Sequence, residues 1–590
     1  MSQDRLSPQL TRRRMLVAVA GAGVTSLLAA CGSRHSSPTS THSSSTSASA
    51  SANSLPVPRE QSFVQDVGPF TYFNSFNPFW PKGRDYDNGF NQFVVEPYFF
   101  LNIPTGKVVP WLALSYTPAS DYASGVMTLR QGVNWSDGQP FTSADVVFSF
   151  GAAAENAEEF AYASLNGVID TVTALDKYTV QFKFQSPQPR FAQSILYDNG
   201  NIAAYVVPEH VWSGQNVLTF TNDPPVTTGA FLLDQSNPTL GMIIWKRNEN
   251  YWGKAIGNFP KMQYIVSRTP APPDEELIDF SRGVMDIPGG LSSAQATLAQ
   301  SQYKAILDVV PTGPLALYFN CATAPFSNQQ LRHAIAMLCN RTSMGKLWSP
   351  PTTGCTFPWM DNGTLKQYQT STAQSALNNG QYLYNPTAAG QLLDQIAPKN
   401  SSGQRMLNGQ PLTFSVAFND TLTSPSDAIV TLLASECKTQ GITVQVESNS
   451  DGATFLDAMR RGSYQAWLYG APGSAIDPLG LYAALVSTGV PPVGQPTANQ
   501  DFPRLNDSKL NSLVASLTSA APGSASASLY DQTFQQFITD CPFVALVQEV
   551  NQFVASTHVW KGWPTGADMY VSADVQWSTF AQALFKLTSV

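Results

Sequence analysis

The chain has 590 residues, 43% hydrophobic and only 13% charged, with a net charge of −8 at neutral pH. That length can hold two large lobes with extensive cores, and the acidic balance excludes the basic face that a nucleic-acid backbone demands. Beyond the N-terminus no apolar run reaches the roughly 20 residues of a membrane-spanning helix, which predicts a soluble body whose polarity comes from Ser, Thr, Asn and Gln.

At the N-terminus, Thr11-Arg12-Arg13-Arg14-Met15-Leu16 leads into the uncharged run Met15 to Ala30, which ends in Leu28-Ala29-Ala30-Cys31. A basic start, an apolar stretch and small residues before a break read as a signal peptide over 1–31. As a helix the run would span about 24 Å, short of the roughly 30 Å hydrocarbon core. The paired arginines resemble a twin-arginine export signal, a plain basic leader for the general route being the other reading. Leu-Ala-Ala-Cys resembles a bacterial lipobox, which implies that Cys31 becomes a lipidated N-terminus, held by several acyl chains on the outer face of the cell membrane. Residues 32–54 contain eleven Ser and three Thr. With little to bury they predict a flexible tether. The other cysteines are Cys321, Cys339, Cys355, Cys437 and Cys541, with no CxxC spacing. That leaves isolated buried thiols or one or two disulfides.

Phe70 to Pro78 is predicted as a strand running into a turn. Val126 to Arg130 alternates apolar and polar, Ser136 to Pro140 has turn chemistry, and a helix follows in which Thr142 and Asp145 are expected to form a capping box. Asp170 to Phe184 reads as a strand pair and Met262 to Val266 as a strand. Pro273 opens a helix that Gly283 stops, and Val284 to Ile287 resumes as strand.

Leu315 to Asn320 leads on to Pro325-Phe326. The following helix is predicted to start at a capping box of Ser327 and Gln330, with Leu331, Ala334, Ile335 and Leu338 on one face. From Leu412 the pattern is βαβαβ: strand Leu412–Phe418, helix Ser424–Gln440 with Pro425 at its first position, strand Ile442–Val446, helix Thr454–Arg461 and strand Tyr464–Tyr469. Alternation of this kind implies a parallel sheet that receives ligands at the carboxyl ends of its strands, which points at the loop after Tyr469. Helices at Asp507–Thr518 and Ser526–Thr539 and a strand from Cys541 complete the order.

The wording of several segments resembles the oligopeptide-, dipeptide- and nickel-binding proteins that serve ABC importers, the bacterial extracellular solute-binding proteins of family 5. The segments are Val126 to Phe150 (VMTLRQGVNWSDGQPFTSADVVFSF), Val206 to His210, Pro225 to Phe231, Trp245 to Gly253, Leu315 to Ala336 and Cys541 to Leu546. The resemblance implies an α/β two-lobed clamshell of the large type II kind, with mixed sheets flanked by helices. Lobe I would cover 55–310, lobe II 311–543 and a return segment 544–590. It implies a lipid-anchored, monomeric protein outside the cytoplasm that captures an oligopeptide or dipeptide and passes it to ABC permease subunits, with no nucleic-acid partner. It places Phe76, Asn77, Tyr98, Trp467, Tyr469 and Asp477 at the ligand cleft. Asp477-Pro478 matches the second acid of the family's W-x-A-D-x-x-D-P loop, but Ser474 or Ala475 stands where the first would fall, so an oligosaccharide or other uncharged solute is the alternative ligand. A secreted hydrolase is the competing class. The folded body has no HExxH, GxSxG, phosphate loop or close histidine pair, so no catalytic residue, metal or cofactor is expected.

Overall fold

Apolar side chains collect into two cores rather than one. The computed structural model describes residues 55–590 apart from 67–72, 80–87, 156–164, 166, 199–201, 203, 349, 361–362, 420–424, 472–475, 487–488, 498–501, 567, 574 and 576. The expected signal peptide, Cys31 and tether lie outside the described residues.

The first core is built on a four-stranded sheet in the order Ser62–Asp66, Tyr264–Arg268, Met242–Arg247 and Phe231–Asn237. Beside it an antiparallel sheet orders Ala113–Pro118, Ser124–Leu129, Thr179–Phe184 and Ile169–Asp176. Helix Ser143–Glu155 buries Val146 and Phe150 in this core. The Thr142 N–H donates to Asp145 Oδ2 at 2.8 Å, as a capping box requires, but the Thr142 hydroxyl accepts from Ala144 N–H at 3.3 Å instead of from Asp145. Asp145 Oδ1 accepts from Glu209 N–H at 2.9 Å and Ser149 Oγ from Val207 N–H at 3.0 Å, so the helix grips the Val206 to His210 corner. Ser136 N–H donates to the Thr227 carbonyl at 2.8 Å, tying the turn after the signature strand to the Pro225 to Phe231 segment. Gly229 must be glycine, since a Cβ there would lie 2.0 Å from the Val94 carbonyl oxygen. Three of the resembling segments are thus one hydrogen-bonded knot.

The second core surrounds a five-stranded sheet in the order Thr443–Ser448, Thr413–Phe418, Ala466–Gly470, Ala305–Phe319 and Phe543–Ser556. The first three strands are parallel, as the βαβαβ pattern predicts, with helices Ser426–Thr439 and Gly452–Arg460 between them. Gly441 and Gly462 follow these helices at φ +82° and +68°, backbone that favours glycine.

The remaining two strands cross between the cores as one antiparallel ladder, from Ala305 opposite Ser556 to Tyr318 opposite Phe543. Ile306, Val310, Phe553 and Ala555 pack with the first core, whereas Leu315 to Phe319 and Phe543, Val544, Leu546 and Val547 belong to the second. The ladder slips between Pro311 and Gly313 and again between Leu315 and Ala316. Pro311 and Pro314 have no N–H to donate, so pairing is weakest where the chain passes from one lobe to the other.

Several local expectations are corrected. Val284 to Ile287 forms no strand beyond a single parallel bridge from Ile287 to Gln65, because Asp286 turns its carboxylate onto Arg59 (2.6 Å) and Val64 N–H (2.8 Å). The helix Gln329–Ala336 is capped by Asn328, whose side chain accepts from Leu331 N–H, and not by Ser327. Pro425 precedes helix Ser426–Thr439 as its cap residue, with Ser424 outside the described residues. Residues 73–79 form a loop, with 70–72 outside the described set. Cys339, Cys437 and Cys541 are buried free thiols. Among the described residues no helix is long and apolar enough to cross a membrane.

Candidate functional site

Strand direction fixes where a solute can approach. Ala305–Phe319 enters the second lobe from the first, and Ala466–Gly470 runs antiparallel to it, Leu315 opposite Gly470. The carboxyl ends of the parallel strands therefore point back toward the first lobe. Ala471 N–H donates to the Pro314 carbonyl at 2.8 Å, which holds the start of the following loop at the crossing.

That loop reaches the other lobe. Asp477 Oδ2 lies 2.7 Å from Nη1 of Arg190, whose neighbour Phe191 packs in the first core. Asp477 Oδ1 accepts from Leu479 N–H at 2.9 Å. Arg190 Nε donates to the Leu517 carbonyl at 3.2 Å, and its guanidinium carbon sits 5.6 Å from the centre of the Tyr530 ring. A lobe I arginine is thus inserted among lobe II groups, largely out of water. A second contact is apolar: Leu101, Ile103, Tyr197 and Trp577 of the first lobe meet Met360 and Ile476 of the second.

The residues expected at the cleft divide into two sets. Asp477 and Tyr469 stand by the lobe junction, Tyr469 half-buried with its ring edge-on to Phe502 at 6.2 Å. The other four side chains are taken up in packing. Trp467 is fully buried and stacks on Tyr318 at 5.5 Å. Phe76 packs edge-on to Trp245 at 5.4 Å. Asn77 Nδ2 donates to the carbonyls of Val217 and Phe220 at 2.8 and 2.6 Å, and its Oδ1 caps Phe79 N–H. Tyr98 stacks on Phe150 at 6.0 Å, and burial pushes its hydroxyl well above the usual tyrosine range.

Two groups at the junction escaped the sequence reading. Arg190 carried no signal beyond being an arginine in a proline-rich turn. Glu549 did carry one, a carboxylate inside a strand that is otherwise apolar from Phe543 to Val547. It lies on the crossing strand opposite Gly313, and among the described residues its carboxylate has no hydrogen-bond or ion-pair partner. Burial pushes it up to about 7. By contrast Glu96, deep in the first lobe, accepts from Trp111 Nε1 (2.7 Å), Tyr251 hydroxyl (2.6 Å) and Trp252 Nε1 (2.9 Å).

Little here resembles a hydrolytic centre. Ser556 Oγ lies 3.0 Å from His558 Nδ1, but the serine is fully buried and offers no nucleophile to a solute. His210 Nε2 lies 2.7 Å from Asp137 Oδ2 and ties the corner to the signature turn.

Comparison with known proteins agrees with this architecture. A curated nickel-binding periplasmic protein of Escherichia coli (strain K12) is 25% identical over 402 residues, covering 65% of this chain and 71% of the relative. An oligopeptide-binding protein of Thermotoga maritima superposes with a TM-score of 0.77 at 21% identity, covering 90% of this chain and all of that one. The same protein bound to mannohexaose gives 0.71 at 21% identity, over 90% and 99%. The family model for bacterial extracellular solute-binding proteins, family 5 middle, matches residues 107–491. Two lobes joined by a crossing ladder, the knot of hydrogen-bonded motifs and this match together mean that the chain belongs to the bacterial extracellular solute-binding proteins of family 5.

Proposed function

We propose that the protein captures an oligopeptide or dipeptide between its lobes and delivers it to the permease of an ABC importer, without altering it chemically. The observation that carries this reading is the crossing ladder, interrupted at Pro311 to Gly313, with the Gly470 loop folded back from it toward the first lobe. Such a joint lets two rigid bodies swing while main-chain groups at strand ends stay available to an extended chain. Asp477, Arg190 and Tyr469 border the space so formed, and the ion pair between the first two acts as a clasp on the closed form. Calorimetric titration with trialanine, cellotriose and a nickel–histidine complex tests the reading: trialanine should bind, and heat from either other solute alone would replace the peptide with that class. An oligosaccharide is the second reading, favoured by the mannohexaose held by the Thermotoga relative and by the half-buried ring of Tyr469.

The same reading includes an anchor. Cys31 carries the lipid, the serine-rich segment is the tether, and export runs by the twin-arginine or the general route. Cys31→Ala should release the protein from the membrane fraction into the soluble one. Undiminished, detergent-requiring membrane association of that variant would contradict the anchor.

A further inference from the structure

The folded chain enters its first strand beside a basic loop with an apolar tip. Gln61 directly precedes the strand Ser62–Asp66, and its carbonyl accepts from Gln263 N–H at 2.7 Å. Just before Gln263 stands Lys261, at the end of a loop that leaves the short helix Trp252–Ile256. We propose that this loop rests on the anionic headgroups of the membrane to which Cys31 holds the protein, its lysines meeting phosphates while Ile256 enters between them. The proposal rests on the lipid-anchor reading above and adds the face that the anchored body turns to the bilayer.

The loop has the chemistry of such a boundary. Ile256, at the end of the short helix, is 49% exposed. Phe259, half-buried, lies under two cations, with the Arg247 guanidinium carbon 4.5 Å and Lys254 Nζ 4.9 Å from its ring centre. Lys254 and Lys261 are exposed, as is Lys246, which stands opposite Tyr264 in the adjoining strand pair. The acids beside these cations are Glu249, 2.8 Å from Arg247 and 4.0 Å from Lys254, and Glu60 where the chain enters. Four cations against two carboxylates make this edge positive in a chain whose net charge is −8. The tip is held on a fixed frame: Arg247 Nη1 donates to the carbonyls of Pro260 and Lys261 at 3.0 and 3.2 Å, and Asn258 N–H to that of Gly253 at 2.9 Å.

Position selects the occupant. Residues 32–54, read above as the tether, lead from Cys31 to this edge, and as a serine-rich coil they would reach roughly 25–30 Å, which keeps the loop near the bilayer. Lysines beside an anionic leaflet and an apolar side chain at headgroup depth both gain from contact, and a tether raises the effective concentration at which they meet it. A soluble anion could meet the cations but would leave Ile256 in water.

The test is hydrogen exchange of the lipidated chain, recovered from membranes and reconstituted in vesicles of phosphatidylcholine alone or mixed with phosphatidylglycerol. Its intact mass reports the lipid on Cys31. Residues 252–261 should exchange more slowly on the mixed vesicles, and high salt should erase the difference. Lys254→Gln combined with Lys261→Gln should weaken the contact equilibrium roughly thirtyfold, about fivefold for each lysine. Ile256→Ser should weaken it while leaving the salt dependence in place. Unchanged exchange in the two cores excludes misfolding as the cause of either loss. A lipidated chain whose residues 252–261 exchange alike on both kinds of vesicle, or a double variant that behaves as wild type, overturns the membrane face and leaves the anchor standing. Slowing that appears only when an ABC permease shares the vesicle assigns the loop to a protein partner and overturns the lipid contact. A mass without lipid overturns the anchor and this inference with it.

Discussion

Glu549 and Glu96 are the same residue type with different partners, and burial raises both carboxyls above the usual range. Glu96 is met by two indole N–H groups and a tyrosine hydroxyl. Glu549 meets no donor among the described residues, and burial raises its carboxyl from the usual 4.5 to about 7. A group whose folded value is raised holds its proton longer in the folded state, so stability falls as pH rises between those values and levels off above the higher one. Urea unfolding of the empty protein should therefore show the wild type losing roughly 1–3 kcal/mol relative to Glu549→Gln between about pH 4.5 and pH 7. A difference between the two proteins that is flat across that window would contradict the unpartnered state of the carboxylate. Sequence pointed to Asp477 as the acid of the cleft, since Asp before Pro in a loop after a parallel strand has both topology and family wording behind it. It could not show that Arg190, 287 positions away, takes that carboxylate. Trp467 and Tyr98 illustrate the same blindness: an aromatic reads alike whether it faces a solute or stacks on Tyr318 or Phe150.

Elements were legible where local chemistry alone decides them. The βαβαβ run of the second lobe follows from apolar periodicity and helix-ending glycines, and the helix at Ser143–Glu155 from Asp145 reaching back to Thr142. Elements failed where a distant partner decides. Val284 to Ile287 has the composition of a strand, yet Asp286 is drawn to Arg59 across 227 positions and the ladder stops at one bridge. Asn328 displaced Ser327 as cap by a single position, a choice that the following residues do not encode. The clasp between Arg190 and the Asp477 loop also belongs to this scale. If it holds the closed form, Arg190→Ala and Asp477→Asn should each shift a fluorescence-transfer distance between labels on the two lobes toward the open value. The double variant should go no further than the larger single effect, because both remove one interaction. Additive opening, or none, would assign Arg190 to local packing in its turn.

Across the whole molecule, the family wording turned out to be structural. The signature helix, the Val206 to His210 corner and the Pro225 to Phe231 turn bond to one another through Asp145, Ser149, Ser136 and Thr227. That is why the fold could be read from sequence while the ligand could not: the wording describes the frame, and the groups at the lobe junction, Tyr469, Asp477 and Arg190 among them, come from separate segments.

The central claim is that two lobes hinge on the crossing strands and close on a solute. Small-angle X-ray scattering of the empty protein, and of the protein saturated with the solute identified by calorimetry, tests it most directly. The account predicts a smaller radius of gyration in the saturated protein, with a larger fall for Arg190→Ala, whose empty form starts more open. Superimposable curves for empty and saturated protein, in both wild type and variant, would contradict it.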